Sequence, residues 1–387
     1  MKKIILKKIS YLLVFCLLFG MTAAFASCAA KDAGDGNTTE PKTDPPTDPV
    51  TEPPTEPPTE PVTEPVTEPA PEPKKTIDIY IIAGQSNGAG YTKIDRNVLD
   101  SLWSENRKGD EHVIYSGRAE YTMNVNTPNV STGANEVRGW TTAKSGQGIN
   151  GNCMGAEVGM AKTFLDKYYN EETGKTAGII KFAHGGTSLV GNVNGENAAN
   201  GNWVPPSYAE YRGFDYSDKS LHGGLYRGLL AQVEKSLDML ERLEFDEVNI
   251  KGVFWMQGES DMGQASAYIK AFQCLAEDLR RDLGEIVGKD LSDLAIIVGE
   301  VSKTFAGADA YWTSANAGFI STQQRLARTI ENVYTIPSSQ YEITKLVNGK
   351  SVNDPHQGDP YHWNTEGMFN IGCLVADCII ENVLQGE

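Results

Sequence analysis

Residues 77 to 87 read IDIYIIAGQSN, an apolar strand-forming run that ends in glycine, amide, hydroxyl and amide. A lone hydroxyl there has two uses. It caps the helix that follows, or it attacks a carbonyl while a base takes its proton and nearby donors meet the oxyanion. The base is most often histidine. The chain has five: His112, His184, His222, His356 and His362. Asp359 stands three residues before His362, and one turn would let its carboxylate reach the imidazole, fix its tautomer and stabilise the imidazolium. Asp354 and His356 offer a second pair, ranked below it.

These residues act together only if the fold gathers them. Short runs rich in Val, Ile and aromatics recur at 77–83, 178–183, 248–257, 294–300 and 331–337. They are mostly apolar on both faces, as buried strands of a parallel sheet are. Between them, 155–170, 223–243, 265–283, 314–330 and 365–384 carry apolar residues at helical spacing. Alternating strand and helix predict an open α/β sheet covered by helices. Residues 192–220, rich in Gly, Asn and Tyr and without periodicity, read as a long surface insertion, a candidate substrate-facing loop.

In open α/β sheets, sites gather at the carboxyl ends of the strands. Polar clusters stand at those ends here: Gln85-Ser86-Asn87, His184-Gly185-Gly186-Thr187-Ser188, Gln257-Gly258-Glu259-Ser260-Asp261, and DPHQGDPYHWNTEG at 354–367. Gly84-Gln85-Ser86-Asn87, Trp255-x-Gln257-Gly258-Glu259 and Asp359-x-x-His362, in this order, resemble the SGNH hydrolases. More closely they resemble the carbohydrate acetylesterase branch that includes family 6 acetylxylan esterases and sialate O-acetylesterases. The resemblance spans 76–384 and implies a flavodoxin-like, three-layer α/β/α sandwich around a central parallel sheet. It implies Ser86 as nucleophile, His362 as general base and Asp359 as its orienter. The implied oxyanion hole is the Ser86 N–H, the Gly155 N–H and the Gln257 amide. Gln85, Asn87, His184, Gly186 and Glu259 are candidate pocket residues, and no metal or organic cofactor is implied. The substrate class is acetylated carbohydrate, either xylan or another hemicellulose, or an acetylated sialic acid.

Plainer roles stand beside these. Gly155 serves equally as a close-packing glycine, Glu259 as a tie between strand ends, and Trp255 as core. A rival nucleophile, Ser260, lies in Gly258-Glu259-Ser260-Asp261-Met262, which lacks the second glycine of a nucleophile elbow. A non-enzymatic rival is a glycan-binding module, or a metal site made of Asp354, His356, Asp359 and His362.

The amino-terminal end reads differently. Lys2, Lys3, Lys7 and Lys8 precede an apolar stretch at 9–19 and the small residues AAFASCAA at 23–30. That is a secretion signal, too short in its apolar core to span a bilayer. Ala24-Phe25-Ala26 fits ordinary cleavage. Phe25-Ala26-Ser27-Cys28 fits a lipobox that leaves Cys28 lipidated, and the next segment favours that reading. Thr-Glu/Asp-Pro-x repeats eight times from Thr39 to Ala70. Proline at every fourth position blocks helix and sheet, and mutually repelling acids extend the chain. At ~3.1 Å per residue the repeat forms a tether of roughly 100 Å. The expected organisation is a signal at 1–27, a tether at 28–75 and an esterase domain at 76–387, anchored at the cell surface or released.

The formal charge of −17 falls mostly on that domain. It disfavours nucleic acid and anionic membrane as partners and suits a neutral substrate. The domain's four cysteines, Cys153, Cys274, Cys373 and Cys378, form no Cys-x-x-Cys pair, which argues against structural zinc.

Overall fold

The computed structural model describes residues 74–119, 137–191, 201–217, 221–303, 310–341, 346–347, 350–351 and 361–385. The secretion signal, Cys28, nearly all of the tether, Asp354, His356 and Asp359 lie outside the described residues.

Seven strands form the main sheet: β1 (Thr76–Gly84), β2 (Val113–Ala119), β3 (Val137–Thr142), β4 (Thr176–Ala183), β5 (Glu247–Met256), β6 (Ala295–Gly299) and β7 (Val333–Ile336). Their order is β3-β2-β4-β1-β5-β6-β7. Every pairing is parallel except β2 with β3. Among the described residues the α-helices are α1 (Ser86–Ala89), α2 (Arg96–Leu102), α3 (Glu157–Lys167), α4 (Pro206–Arg212), α5 (Gly224–Leu240), α6 (Ala265–Val287), α7 (Ala310–Thr329) and α8 (Thr365–Ile379).

β1 is buried along its length because both faces are covered. Ile77, Ile79, Ile81 and Ala83 pack with Leu229, Val233, Phe272, Leu275 and Phe319 of α5, α6 and α7. Tyr80 and Ile82 pack with Phe164 of α3 and Phe369, Ile371 and Val375 of α8. Alternation along one strand thus joins two cores into a three-layer sandwich. Each buried Ile, Leu, Val or Phe among them contributes about 1.5–3 kcal/mol. The segment Thr365–Leu384 is apolar and long enough to cross a membrane by composition. Gly159 and Gly372 let α3 and α8 close together, since a Cβ at either would fall about 2 Å from a carbonyl oxygen of the other helix's segment (1.9 Å from Phe369 O, 2.1 Å from Ala156 O).

Two parts differ from the sequence reading. The pair β2–β3 extends one side of the sheet, and its mixed polar composition gave no apolar run to find. In the described part of the expected surface insertion, 201–205 and 208–209 are buried, while Glu210, Tyr211, Gly213, Asp215 and Ser217 are exposed. Trp203 and Tyr208 are fully buried, and Trp203 meets Trp255 edge-on with ring centres 5.1 Å apart. The Trp203 indole donates to Thr187 Oγ1 at 3.0 Å. Composition there reflected turns, while isolated aromatics carried the packing.

Candidate active site

The chain leaves β1 for β2 and β4 on one side and crosses to β5 on the other. The carboxyl end of β1 is therefore a topological switch point, where open α/β sheets bind ligands. Gly84, at φ +136°, ends the strand. A Cβ at this position would sit 2.1 Å from Met256 O, so only glycine lets β1 and β5 stay paired here. Gln85 then donates its N–H to Met256 O at 2.9 Å. Its Oε1 accepts from Gln257 Nε2 at 3.3 Å, Gly258 N at 3.5 Å and Ser260 N at 3.3 Å, tying the ends of β1 and β5. Ser86 is the first residue of α1, so its N–H has no acceptor within the helix. Gly90, at φ +90°, ends α1 and passes so close to Gly155 that a Cβ would lie 2.7 Å from its nitrogen.

The turn after β4 is held by Asp261, 1% exposed. Its carboxylate accepts from Ser188 Oγ, from Leu189 N at 2.7 Å, from Val190 N at 3.4 Å and from Gln257 Nε2 at 2.7 Å. Burial pushes the Asp261 pKa up, and these donors oppose it. Gln257 Nε2 also donates to Thr187 O at 2.9 Å. The His184 N–H bonds Gly84 O at 3.1 Å. Gly185 and Gly186 are thereby fixed opposite α1.

His362 precedes the cap of α8. Asn364 accepts from Gly367 N at 2.8 Å and starts the helix. Trp363 is fully buried, and its carbonyl accepts from Thr92 Oγ1 at 2.8 Å. The His362 ring stacks on Tyr91 with centres 4.7 Å apart and planes at 24°. A cavity of about 270 Å³ opens between these elements, lined by Gln85, Ser86, Tyr91, Gly185, Gly186, Glu259, Tyr361 and His362. Asn87 Nδ2 donates to Glu259 Oε1 at 2.8 Å and to Tyr361 O at 3.4 Å, binding three walls together. Burial raises the Glu259 pKa; its backbone and Asn87 hydrogen bonds and the nearby His362 oppose this. Glu259 Oε2 is buried with no hydrogen-bond partner among the described residues.

A hydroxyl at a helix start and an imidazole, facing one small cavity beside two glycines, are parts for acyl transfer. A family model of carbohydrate esterases, described as sialic acid-specific acetylesterase, matches residues 76–381. The chain belongs to this family. Its reaction class is therefore carboxylic ester hydrolysis, the removal of O-acetyl groups from carbohydrate. A search of curated proteins found no match. Similar solved structures include a protein from Arabidopsis thaliana, at 18% identity and TM-score 0.48 over 80% of this chain and 100% of that one. A carbohydrate acetylesterase from Xanthomonas citri has 16% identity and TM-score 0.47 over 80% and 57%. NanS has 14% identity and TM-score 0.48 over 80% and 98%.

In this carbohydrate esterase the structure brings Ser86, His362, Gln85, Gly186 and Glu259 to one cavity, with Asn87 bracing it from behind. Asp359 is outside the described residues. Two expected oxyanion donors are engaged elsewhere. The Gly155 N–H donates to Glu157 Oε1 at 2.9 Å, in the buried network around Lys181. The Gln257 amide is fully buried and turned to Gln85, Thr187 and Asp261, away from the cavity wall. His184 is buried and is not among the residues that line the cavity. Gly185 is the glycine that the sequence pointed to only as part of a stretch. Tyr91 and Tyr361 were missed, and adjacency to Gly90 and His362 was their only signal. Ser260, the rival nucleophile, is exposed and off the cavity, and its N–H serves Gln85. Trp255 is core. Of the four alternative metal ligands only His362 is described, and no metal-holding cluster of His, Cys, Asp or Glu occurs among the described residues.

Proposed function

We propose that Ser86 and His362 carry the deacetylation, and that the substrate is an acetylated hemicellulose such as xylan. The observation behind the reading is the shared cavity of Ser86, His362 and the Gly185–Gly186 turn. Ser86 Oγ attacks the acetyl carbonyl carbon while His362 takes the hydroxyl proton. The resulting oxyanion is met by the Ser86 N–H and by the Gly186 N–H of the turn after β4, in place of Gly155 and Gln257. Collapse expels the sugar oxygen, to which His362 returns the proton. Water, deprotonated by the same imidazole, then attacks the acetyl-enzyme and releases acetate. Asp359 is the sequence candidate for orienting His362. Glu259 is the carboxylate that the described cavity sets beside it.

The strongly acidic composition favours a neutral polymer over an anionic one. The family's description supports O-acetylated sialic acid as the second reading. We also propose that the chain is exported, that Cys28 is lipidated and that the Thr-Glu-Pro repeat holds the enzyme at the cell surface. The basic, apolar and small-residue segments before Cys28 support this.

The test is acetate release from acetylated xylan, acetylated glucomannan and an O-acetylated sialic acid by wild type and Ser86→Ala. Release lost in the variant is expected. Release that persists in Ser86→Ala would remove the serine mechanism. A faster rate on the sialic acid would select the second reading.

A further inference from the structure

We infer that Tyr91 is the positioning residue of His362: the face of its ring holds the imidazole beside Ser86 and favours the positive charge that the imidazole takes up with the serine proton. The inference rests on the esterase reading of the same cavity.

Ser86 and Tyr91 lie on one short segment. Ser86 opens α1, and Gly90 closes it in the left-handed region, its N–H bonded to Ser86 O at 3.0 Å. The Gly90 carbonyl accepts from Ile149 N at 3.1 Å. Tyr91 is the next residue, and Thr92–Lys93 then pairs antiparallel with Cys153–Met154. Tyr91 is thus pinned on both sides, at a set place relative to the nucleophile.

The same segment fastens the backbone around His362. Thr92 Oγ1 donates to Trp363 O at 2.8 Å. Thr365 Oγ1 donates to Lys93 O at 3.0 Å and accepts from Asp95 N at 2.7 Å. Trp363 is fully buried, and its indole donates to Tyr341 O at 3.2 Å. The residue before Thr92 and the residue before Trp363 are therefore set against each other. They are Tyr91 and His362, whose rings stack with centres 4.7 Å apart and planes at 24°. His362 is buried, and both residues line the cavity.

The stack acts in two ways. Histidine swings about its side-chain torsions, and a ring packed on its face removes the rotamers that would carry the imidazole away from Ser86. An orienting carboxylate acts at the edge of the imidazole, whereas Tyr91 acts on its face. The tyrosine face is also the negative side of its quadrupole, and it attracts a cation within about 6 Å of the ring centre, more strongly where water is excluded. A general base is uncharged before it takes the proton and positive afterwards. The attraction therefore arises as the proton moves, and an interaction of that kind raises kcat rather than tightening substrate binding. The ring supplies both effects, and the phenol hydroxyl is not needed for either.

The test assays Tyr91→Leu, Tyr91→Phe, His362→Ala and the double variant Tyr91→Leu/His362→Ala on an O-acetylated methyl glucoside and on 4-nitrophenyl acetate, with thermal unfolding of each protein. Tyr91→Leu should lower kcat about 10- to 30-fold and leave KM within about threefold. Tyr91→Phe, which keeps the ring, should stay within about threefold of wild type. In the His362→Ala background, Tyr91→Leu should change the residual rate on 4-nitrophenyl acetate by less than about twofold, because no imidazole is left to hold. Tyr91→Met, which fills much of the same space without a ring, takes the place of the leucine variant if that protein does not unfold cooperatively. A ringless variant with wild-type kcat would overturn the inference. So would an equal loss with and without His362, or a Tyr91→Phe as slow as the ringless variant. If His362→Ala alone keeps wild-type kcat, the base assignment fails, and that result is read before Tyr91 enters.

Discussion

Asp261→Asn isolates the support of the Gly185–Gly186 turn from the chemistry. The variant keeps the shape of the side chain and removes one acceptor. In the wild type that carboxylate takes the Ser188 hydroxyl, the Leu189 N–H and the Gln257 amide at short range, and the Val190 N–H at 3.4 Å. Hydrogen bonds to a charged group contribute about 1.5–3 kcal/mol each. Asparagine retains one carbonyl oxygen and points an NH2 at donors, so about two of these bonds go, a gross loss of 3–6 kcal/mol. The variant also escapes the cost of burying a charge, a cost reflected in the raised Asp261 pKa. The net loss should be about 2–4 kcal/mol in urea unfolding. The turn should then lose alignment over Ser86, and a misplaced oxyanion donor costs about 100- to 1,000-fold in kcat with little change in KM. Stability should respond to pH as well. Because the folded pKa is raised above 3.8, the native state holds the proton longer than the unfolded chain. Asp261 thus favours folding least at pH above its folded pKa, and its share falls as pH rises from about 3.8 to that value. Asparagine should remove that slope. A stability loss under 1 kcal/mol together with kcat within threefold of wild type would refute the reasoning.

Two further substitutions test the core. Trp203→Ala should cost about 3–5 kcal/mol in urea unfolding, because a fully buried indole packed on Trp255 is deleted; an effect below 1 kcal/mol would return this segment to the surface. Lys181→Met leaves Glu157 charged and unpaired 2.9 Å from the lost ammonium, with both side chains fully buried, and should cost about 3–5 kcal/mol; adding Glu157→Leu should recover most of it, and no recovery would refute the ion pair as the cause.

The parts legible in the sequence were those written as local pattern. β1 and β4 to β7 announced themselves because parallel strands covered on both faces must be apolar throughout. Gly84-Gln85-Ser86-Asn87 was legible because the requirement is steric: a Cβ at Gly84 would strike Met256 O, and the residue after Gln85 must begin a helix. That the Gly155 N–H and the Gln257 amide have protein partners was not legible, and the reason is general. An N–H is available to a substrate only if no protein acceptor reaches it first. Gly155 sits at a plausible place in the chain, but Glu157, two residues on, takes its proton. Gln257 offers an amide of suitable length, but Asp261, four residues on, fixes it inward. Both competitors are close in sequence, and both are drawn in by long-range partners: Glu157 by Lys181 of β4, Asp261 by the Ser188–Val190 turn. Spacing can nominate a donor, while its freedom depends on every acceptor the fold brings near. The same rule singles out Glu259. Asn87 satisfies one of its oxygens while the other is buried with no hydrogen-bond partner among the described residues, and that asymmetry is visible only when all the partners are in place.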